Sequence, residues 1–289
     1  MSLPSPQAIL RRLGLRPKKA WGQHFLLYPH QASRIVASLE LTGVETVVEI
    51  GPGLGALTVF LADQAQKVIA LERDPDLARF LAGDLFPGSA AVQVVCQDAL
   101  RFDFLGCARA ASQPLAVAGN LPYQITSPLL FKLIREKAAM ARAVLMVQQE
   151  VGDRLLAGPG NKDYGVPTVL AQYHFAIARL FSLGPANFYP PPQVASVVLR
   201  LTPDSLIPRA ADEETFTQVV KAAFAQRRKT LNNTLVAQAN IFGLSPEQVR
   251  AALESLNIDP KRRGETLSPA QFVELSNLFG RKLGGGSGI

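Results

Sequence analysis

Between about residue 45 and residue 201, short apolar runs alternate with helix-length segments, a pattern that few folds accommodate. The runs are Thr46–Ile50, Val68–Leu71, Val92–Cys96, Leu115–Ala118, Val144–Val147, Phe175–Leu180 and Val194–Leu201. Amphipathic stretches such as Leu57–Gln64, Pro75–Gly83 and Ser127–Glu136 lie between them. Strands separated by helices join through right-handed crossovers, so the pattern predicts an α/β domain with a mostly parallel sheet. No helix-length segment separates the last two runs, which predicts an antiparallel hairpin at one edge. After Pro203 the strand pattern stops. Glu213–Gln226, Thr230–Ala239, Pro246–Leu256 and Pro269–Phe279 read as helices, the last two opened by Ser-Pro pairs that supply an N-cap and an N1 proline. The expected organisation is a first domain over residues 1–204, a small all-helical domain over 205–283 and a flexible tail over 284–289. The breaker-rich stretch 157–165 and the segment Lys18–Leu26 read as mobile loops.

At 289 residues the chain can bury a large core, and 48% hydrophobic with 18% charged residues is a globular composition. Cys96 and Cys107 are too few for a disulfide framework. With His24, His30 and His174 scattered, no metal-ligand spacing arises, so no metal is expected and a reducing cytoplasm is. No apolar run approaches the roughly 18 residues of a membrane helix. Arg11, Arg12, Arg16, Lys18 and Lys19 interrupt any signal-peptide core. Charge is unevenly spread. Residues 1–39, a basic arm, hold six basic side chains and no acid; residues 40–199 hold 12 basic and 14 acidic, and residues 200–289 hold 12 and 9. A near-neutral middle between basic ends suits a catalytic core with walls for a polyanion.

Three acidic positions follow the strands in order. Glu49-Ile-Gly51-Pro-Gly53-Leu-Gly55 closes the first run and opens a helix. Glycines there let the backbone touch a ligand. The spacing is not that of dinucleotide sites or of a nucleotide P-loop, and an acid two places before the first glycine favours a ligand bearing a cation. Glu72 ends the second run, where a carboxylate can take both ribose hydroxyls. Asp98 lies just past the third, placed to accept from an adenine amino group. A ligand with an adenosine and a positive amino-acid end fits all three, which predicts S-adenosylmethionine. After the fourth run comes Asn120-Leu121-Pro122-Tyr123. A carboxamide oxygen with a neighbouring carbonyl can accept both hydrogens of an exocyclic amine, and the aromatic ring can stack on the base carrying it.

With these residues in hand, the chain closely resembles the ribosomal RNA adenine N6,N6-dimethyltransferases over essentially its whole length. The resemblance rests on Gly22-Gln23-His24-Phe25-Leu26, on Asn120 through Pro128, on Phe188 through Ser196 and on Phe224 through Leu231. It implies a Rossmann-like class I methyltransferase sheet with helices on both faces. It also implies that His24, Leu26, Gly51, Glu72, Asp98 and Asn120 line the cofactor site. The family commonly has Asn where this chain has His24. For the chemistry, the Asn120 side chain and the Leu121 carbonyl would accept from adenine N6, Pro122 would fix the turn, and Tyr123 and Phe188 would sandwich the flipped base.

Arg227-Arg228-Lys229 reads either as a solvated helix start or, with Lys18, Lys19, Arg262 and Arg263, as a phosphate-binding surface spanning both domains. The resemblance implies a monomer that acts on the small ribosomal subunit during its biogenesis, dimethylating two adjacent adenosines near the 3′ end of its 16S RNA. The competing readings are a large-subunit adenine N6-methyltransferase and a non-catalytic ribosome-assembly factor that binds RNA. A DNA adenine methyltransferase fits less well, because no sizeable target-recognition domain is present.

Overall fold

The computed structural model describes residues 3–122, 124–203 and 206–283. Seven strands form one sheet: β1 Thr46–Ile50, β2 Lys67–Glu72, β3 Val92–Cys96, β4 Leu115–Asn120, β5 Met140–Gln148, β6 Ala176–Leu183 and β7 Ser196–Thr202. Their order is β3-β2-β1-β4-β5-β7-β6. Strands β1 to β5 pair in parallel, and β7 pairs antiparallel with both β5 and β6, which is the edge hairpin the sequence predicts. Strand β1 is buried at every position, as a central strand covered on both faces must be. On one face, Ile35, Val36 and Leu39 from the region of helix Pro29–Ala37 pack with Leu57 and Leu61 over Val47, Val68, Ala116 and Val144.

By its internal contacts the chain divides into two units, residues 1–152 with 175–203 and residues 153–174 with 204–289. The alternating run pattern places 153–174 in the first domain and predicts no helix there. The structure has helices Gln149–Leu156 and Val166–His174. The second is buried over nearly its whole circumference (Thr168, Val169, Leu170, Ala171, Tyr173, His174), so it lacks the polar face that reveals a helix in sequence. Its Tyr173 ring lies 4.1 Å from that of Phe216, which explains why it groups with the helical unit. That unit's helices are Glu213–Phe224, Leu231–Val236, Pro246–Ser255 and Pro269–Leu283. Ser245 caps that helix with Pro246 at N1, as the Ser-Pro pair predicts, and Gln248 completes a capping box.

The crossing of β1 and β4 is tight. A Cβ on Gly119 would stand 2.7 Å from the Ile50 carbonyl oxygen, which backbone pairing prevents from yielding. Gly119→Ala should therefore destabilise the protein by roughly 1–3 kcal/mol, the range for overpacking a core. Thermal unfolding checks this, and an unchanged melting temperature would mean that the two strands have room to separate.

Candidate cofactor and target-base site

Between β1 and β4 the strand order reverses, and an open α/β sheet leaves a crevice at the carboxyl ends of such strands. A cleft occupies that position, lined among others by Glu49, Gly51, Gly53, Glu72, Asp98, Asn120, Leu121, Pro122, His24, Leu26 and Phe188. The sequence-predicted residues described in this unit thus come together, except for Lys18. Tyr123 and the Lys19 side chain lie outside the described residues.

The glycine loop takes left-handed backbone at Gly51, Gly53 and Gly55, with φ of +69°, +57° and +83°. A Cβ at Gly53 would press on the Phe25 ring at 3.1 Å, so the loop and the segment before the sheet require each other's shape. Two carboxylates flank it. Glu72, the last residue of β2, is 6% exposed. Its Oε2 accepts from Gly53 N–H at 3.0 Å and its Oε1 from Asp74 N–H at 2.8 Å. Burial raises its pKa against the opposing pull of these two backbone bonds. Each oxygen keeps a further lone pair for a ligand hydroxyl.

Glu49 is more extreme. Its carboxyl is 1% exposed, and its Oε2 has no hydrogen-bond partner among the described residues. Burial pushes its pKa up to about 8, and the charge of Glu72 adds to the effect. The Thr58 hydroxyl acts the other way, although its own Oγ1 makes no geometric hydrogen bond. An orphaned buried carboxylate oxygen beside a glycine cradle is a place for a ligand's cationic group. Asp98 caps a short 3-10 turn, its Oδ1 accepting from Leu100 N–H at 2.9 Å, while Oδ2 stands 3.9 Å from Arg73 Nε.

Asn120 ends β4. Its Nδ2 donates to the His24 carbonyl oxygen at 3.0 Å, which fixes the amide and leaves Oδ1 as the acceptor. His24 is fixed in turn, because its Nδ1 is 2.7 Å from the Pro190 carbonyl oxygen, an atom that can only accept. Leu121 N–H donates to Met146 O at 3.0 Å, holding the turn to β5. Phe188 is 2% exposed and its backbone pairs with Leu26 in a two-residue antiparallel ladder, Phe25–Leu26 against Phe188–Tyr189. The segment Lys18–Leu26, read in sequence as a mobile loop, is thereby tied to the cleft by a short 3-10 turn, a ladder and side-chain bonds.

The cations predicted to meet RNA divide into two kinds. Lys18 Nζ donates to Asp74 at 2.7 Å and to Asp76 at 3.1 Å. Arg227 binds the carbonyls of Lys162 and Tyr164 and the carboxylate of Glu265, and Arg262 binds Thr266, so both brace the helical unit. Arg263 stands 4.0 Å from Glu265. Arg228 and Lys229, in the turn before helix Leu231–Val236, are exposed, and their side chains have no intramolecular partner among the described residues. Sequence reading gave no role to Trp21, Gln23, Arg73 or Asp74. Trp21, Gln23 and Arg73 line the cleft, and Asp74 is buried beside it. Only the proximity of Gln23 to His24 and of Asp74 to Glu72 could have flagged Gln23 and Asp74. No group of three or more His, Cys, Asp or Glu able to hold a metal occurs among the described residues, and no described helix is long and apolar enough to cross a membrane.

A family model described as ribosomal RNA adenine dimethylase matches residues 14–280. The ribosomal RNA small subunit methyltransferase A of Myxococcus xanthus is 46% identical over 281 residues, 96% of each chain. Among solved structures, a dimethyladenosine transferase from Plasmodium falciparum superimposes with a TM-score of 0.76 at 26% identity, covering 90% of this chain and 98% of that one. The 23S rRNA methyltransferase ErmE gives a TM-score of 0.67 at 26% identity, with coverage of 89% and 99%.

Proposed function

This chain belongs to the ribosomal RNA adenine dimethylase family, and on that premise we propose that it transfers methyl groups from S-adenosylmethionine to N6 of two adjacent adenosines near the 3′ end of small-subunit RNA. The observation that carries the reading is Asn120. Its amide nitrogen is engaged with His24 O, so its oxygen is the acceptor at a strand end beside the glycine loop and Glu72. The small-subunit name of a relative at 46% identity supports that substrate over the 23S rRNA of the more distant ErmE.

The residues fit the cofactor. Glu72 would hold the ribose, Asp98 the adenine amino group, and the orphaned Oε2 of Glu49 the positive amino-acid end. Gly51 and Gly53 admit the ligand against backbone, and His24 and Leu26 line the same cleft. When bound, S-adenosylmethionine supplies a methyl group on a sulfonium, already a good electrophile, so the protein chiefly needs to align an amine with it. Adenine N6 is a weak nucleophile because its lone pair is delocalised into the ring. In the first transfer, Asn120 Oδ1 and the Leu121 carbonyl, accepting from the two N6–H bonds, draw that nitrogen toward a pyramidal shape. Both bonds strengthen as positive charge grows on nitrogen, which lowers the barrier. Pro122 lacks an N–H and fixes the turn. Phe188 would flank the base, a role the family resemblance also gives Tyr123.

Labelled methyl transfer to purified undermethylated small subunits should exceed transfer to large subunits, naked RNA or DNA. Preferential labelling of large subunits would overturn the substrate assignment. Calorimetry gives a separate check on the cofactor. Glu72→Ala should weaken S-adenosylmethionine by roughly 1.5–3 kcal/mol, the loss of hydrogen bonds to a charged group. Tight NAD binding instead would defeat the cofactor assignment.

RNA contact falls to Arg228 and Lys229. Alanine at both should weaken small-subunit binding and flatten the salt dependence by up to about one unit of slope per lost phosphate contact. Arg227→Ala should instead lower the melting temperature, since it breaks a brace to Lys162, Tyr164 and Glu265. An unchanged salt slope in the double variant would move the RNA contact to other cations.

A further inference from the structure

The basic segment before the sheet reaches the cofactor cleft through one buried acid. Asp74 is 2% exposed and caps helix Pro75–Phe80, its Oδ1 accepting from Asp76 N–H at 3.1 Å. The same Oδ1 accepts from Lys18 Nζ at 2.7 Å, and its Oδ2 accepts from Gln23 Nε2 at 2.9 Å. Gln23 Oε1 accepts from the Lys18 backbone N–H at 2.8 Å, so the two side chains form a closed ring with Asp74. The backbone N–H of Asp74 then donates to Glu72 Oε1 at 2.8 Å, while Gly53 N–H holds the other oxygen. We propose that Lys18 and Gln23 are positioning residues for the cofactor site, acting through Asp74 to set the carboxylate of Glu72 that grips the ribose. The proposal rests on the assignment of Glu72 to the ribose.

Electrostatics gives the linkage its direction. Asp74 is a second negative group two residues from Glu72, and its charge opposes ionisation of Glu72. Burial pushes the Asp74 carboxyl up, but the bonds from Lys18, Gln23 and Asp76 N–H, with the charge of Lys18, together outweigh it and hold that carboxyl below its usual range. Removing Lys18 leaves a buried carboxylate short of its cation, and its nearest relief is to turn out of the pocket. That movement would also break the Asp74 cap on Asp76 N–H and loosen the turn that holds the Asp74 N–H against Glu72. A surface ion pair would matter little, but here only the lysine side is open: side-chain exposure is 36% for Lys18 and 3% for Asp74. The chain's one tryptophan, Trp21, sits in the cleft wall with Lys18 Nζ 4.8 Å and Arg73 5.2 Å from its ring centroid. Its fluorescence therefore reports on both the Lys18–Asp74 contact and the ligand.

The test is a double-mutant cycle on the full chain, read as S-adenosylhomocysteine affinity by calorimetry and by Trp21 fluorescence. Lys18→Met should weaken binding about tenfold, and Gln23→Ala about threefold to tenfold, by loss of bonds to a charged group. Lys18→Met combined with Glu72→Gln should bind no worse than Glu72→Gln alone. Lys18→Arg should restore most of the affinity. Against a 2′,3′-dideoxy analogue of the same ligand, Lys18→Met should bind like the parent, which a loss of general stability would not produce. In turnover the variant should raise KM for the cofactor and leave kcat. If Lys18→Met does not fold, Gln23→Ala carries the same cycle. Unchanged affinity in these variants, or losses that multiply with Glu72→Gln, overturns the positioning role alone. Unchanged affinity in Glu72→Gln by itself overturns the ribose assignment as well.

Discussion

Asn120→Ala is expected to lower methyl transfer at least about 100-fold, the scale of losing one key transition-state hydrogen bond. Cofactor binding should remain measurable, because Glu49, Glu72 and Asp98 are untouched. The expectation follows from how the amide is held. Its nitrogen is bonded to His24 O, so the oxygen has a fixed orientation without any help from substrate. Such preorganisation is what makes a single acceptor effective. Asn120→Asp offers a sharper comparison, since it keeps an oxygen acceptor but loses the donor to His24 O. Single-turnover rates with cofactor-saturated enzyme measure the effect directly. Near-normal turnover of Asn120→Ala on small subunits would remove Asn120 from the chemistry.

Glu49→Gln should alter both stability and cofactor binding, in opposite senses. The folded protein holds this carboxyl's proton up to about pH 8, whereas an unfolded chain releases it near 4.5. Between those values the folded state binds the extra proton, so stability falls as pH rises through the window. At pH 9 Glu49→Gln should therefore be the more stable protein, by an amount of order a few kcal/mol, and near pH 4 the two should be alike. A cationic ligand reverses the balance, because it favours the ionised carboxyl. Cofactor affinity of the parent should rise with pH up to about 8, and binding at pH 7 should release a proton. Glu72, also raised by burial, is the neighbouring group that contributes to the same count. Calorimetry in two buffers of different ionisation heat gives the number of protons, and the difference between parent and Glu49→Gln isolates the share of Glu49. An identical proton count in both proteins would contradict this account.

The sheet was legible because its central strands are short apolar runs, and two of them end in a polar residue. Glu72 and Asn120 are the terminal residues of β2 and β4, so a run boundary located them. The glycine loop was legible from spacing alone. The helices Pro6–Arg12 and Pro29–Ala37 went unread although Ser5-Pro6 is the same opening signal as Ser245-Pro246, because both are short and sit in a strongly basic stretch. Helix Val166–His174 was hidden by its burial on all sides. Lys18 and Asp74 are 56 residues apart, and nothing local distinguishes a lysine that pairs with a buried acid from one that faces a phosphate. The same limit applied to Arg227, whose partners at Lys162 and Tyr164 only tertiary structure brings near. The two-residue ladder that joins Leu26 to Phe188 is likewise too short to leave a period in sequence.

The central claim is that a strand-end carboxamide and a flanking cofactor cleft dimethylate adenine N6 in small-subunit RNA. Nucleoside mass spectrometry of RNA from undermethylated small subunits, after incubation with the protein and S-adenosylmethionine, tests it most directly. The account predicts N6,N6-dimethyladenosine at two adjacent positions near the 3′ end, formed by the parent protein and absent with Asn120→Ala. Dimethyladenosine appearing equally with Asn120→Ala, or none formed by a parent protein that binds the cofactor, would contradict it.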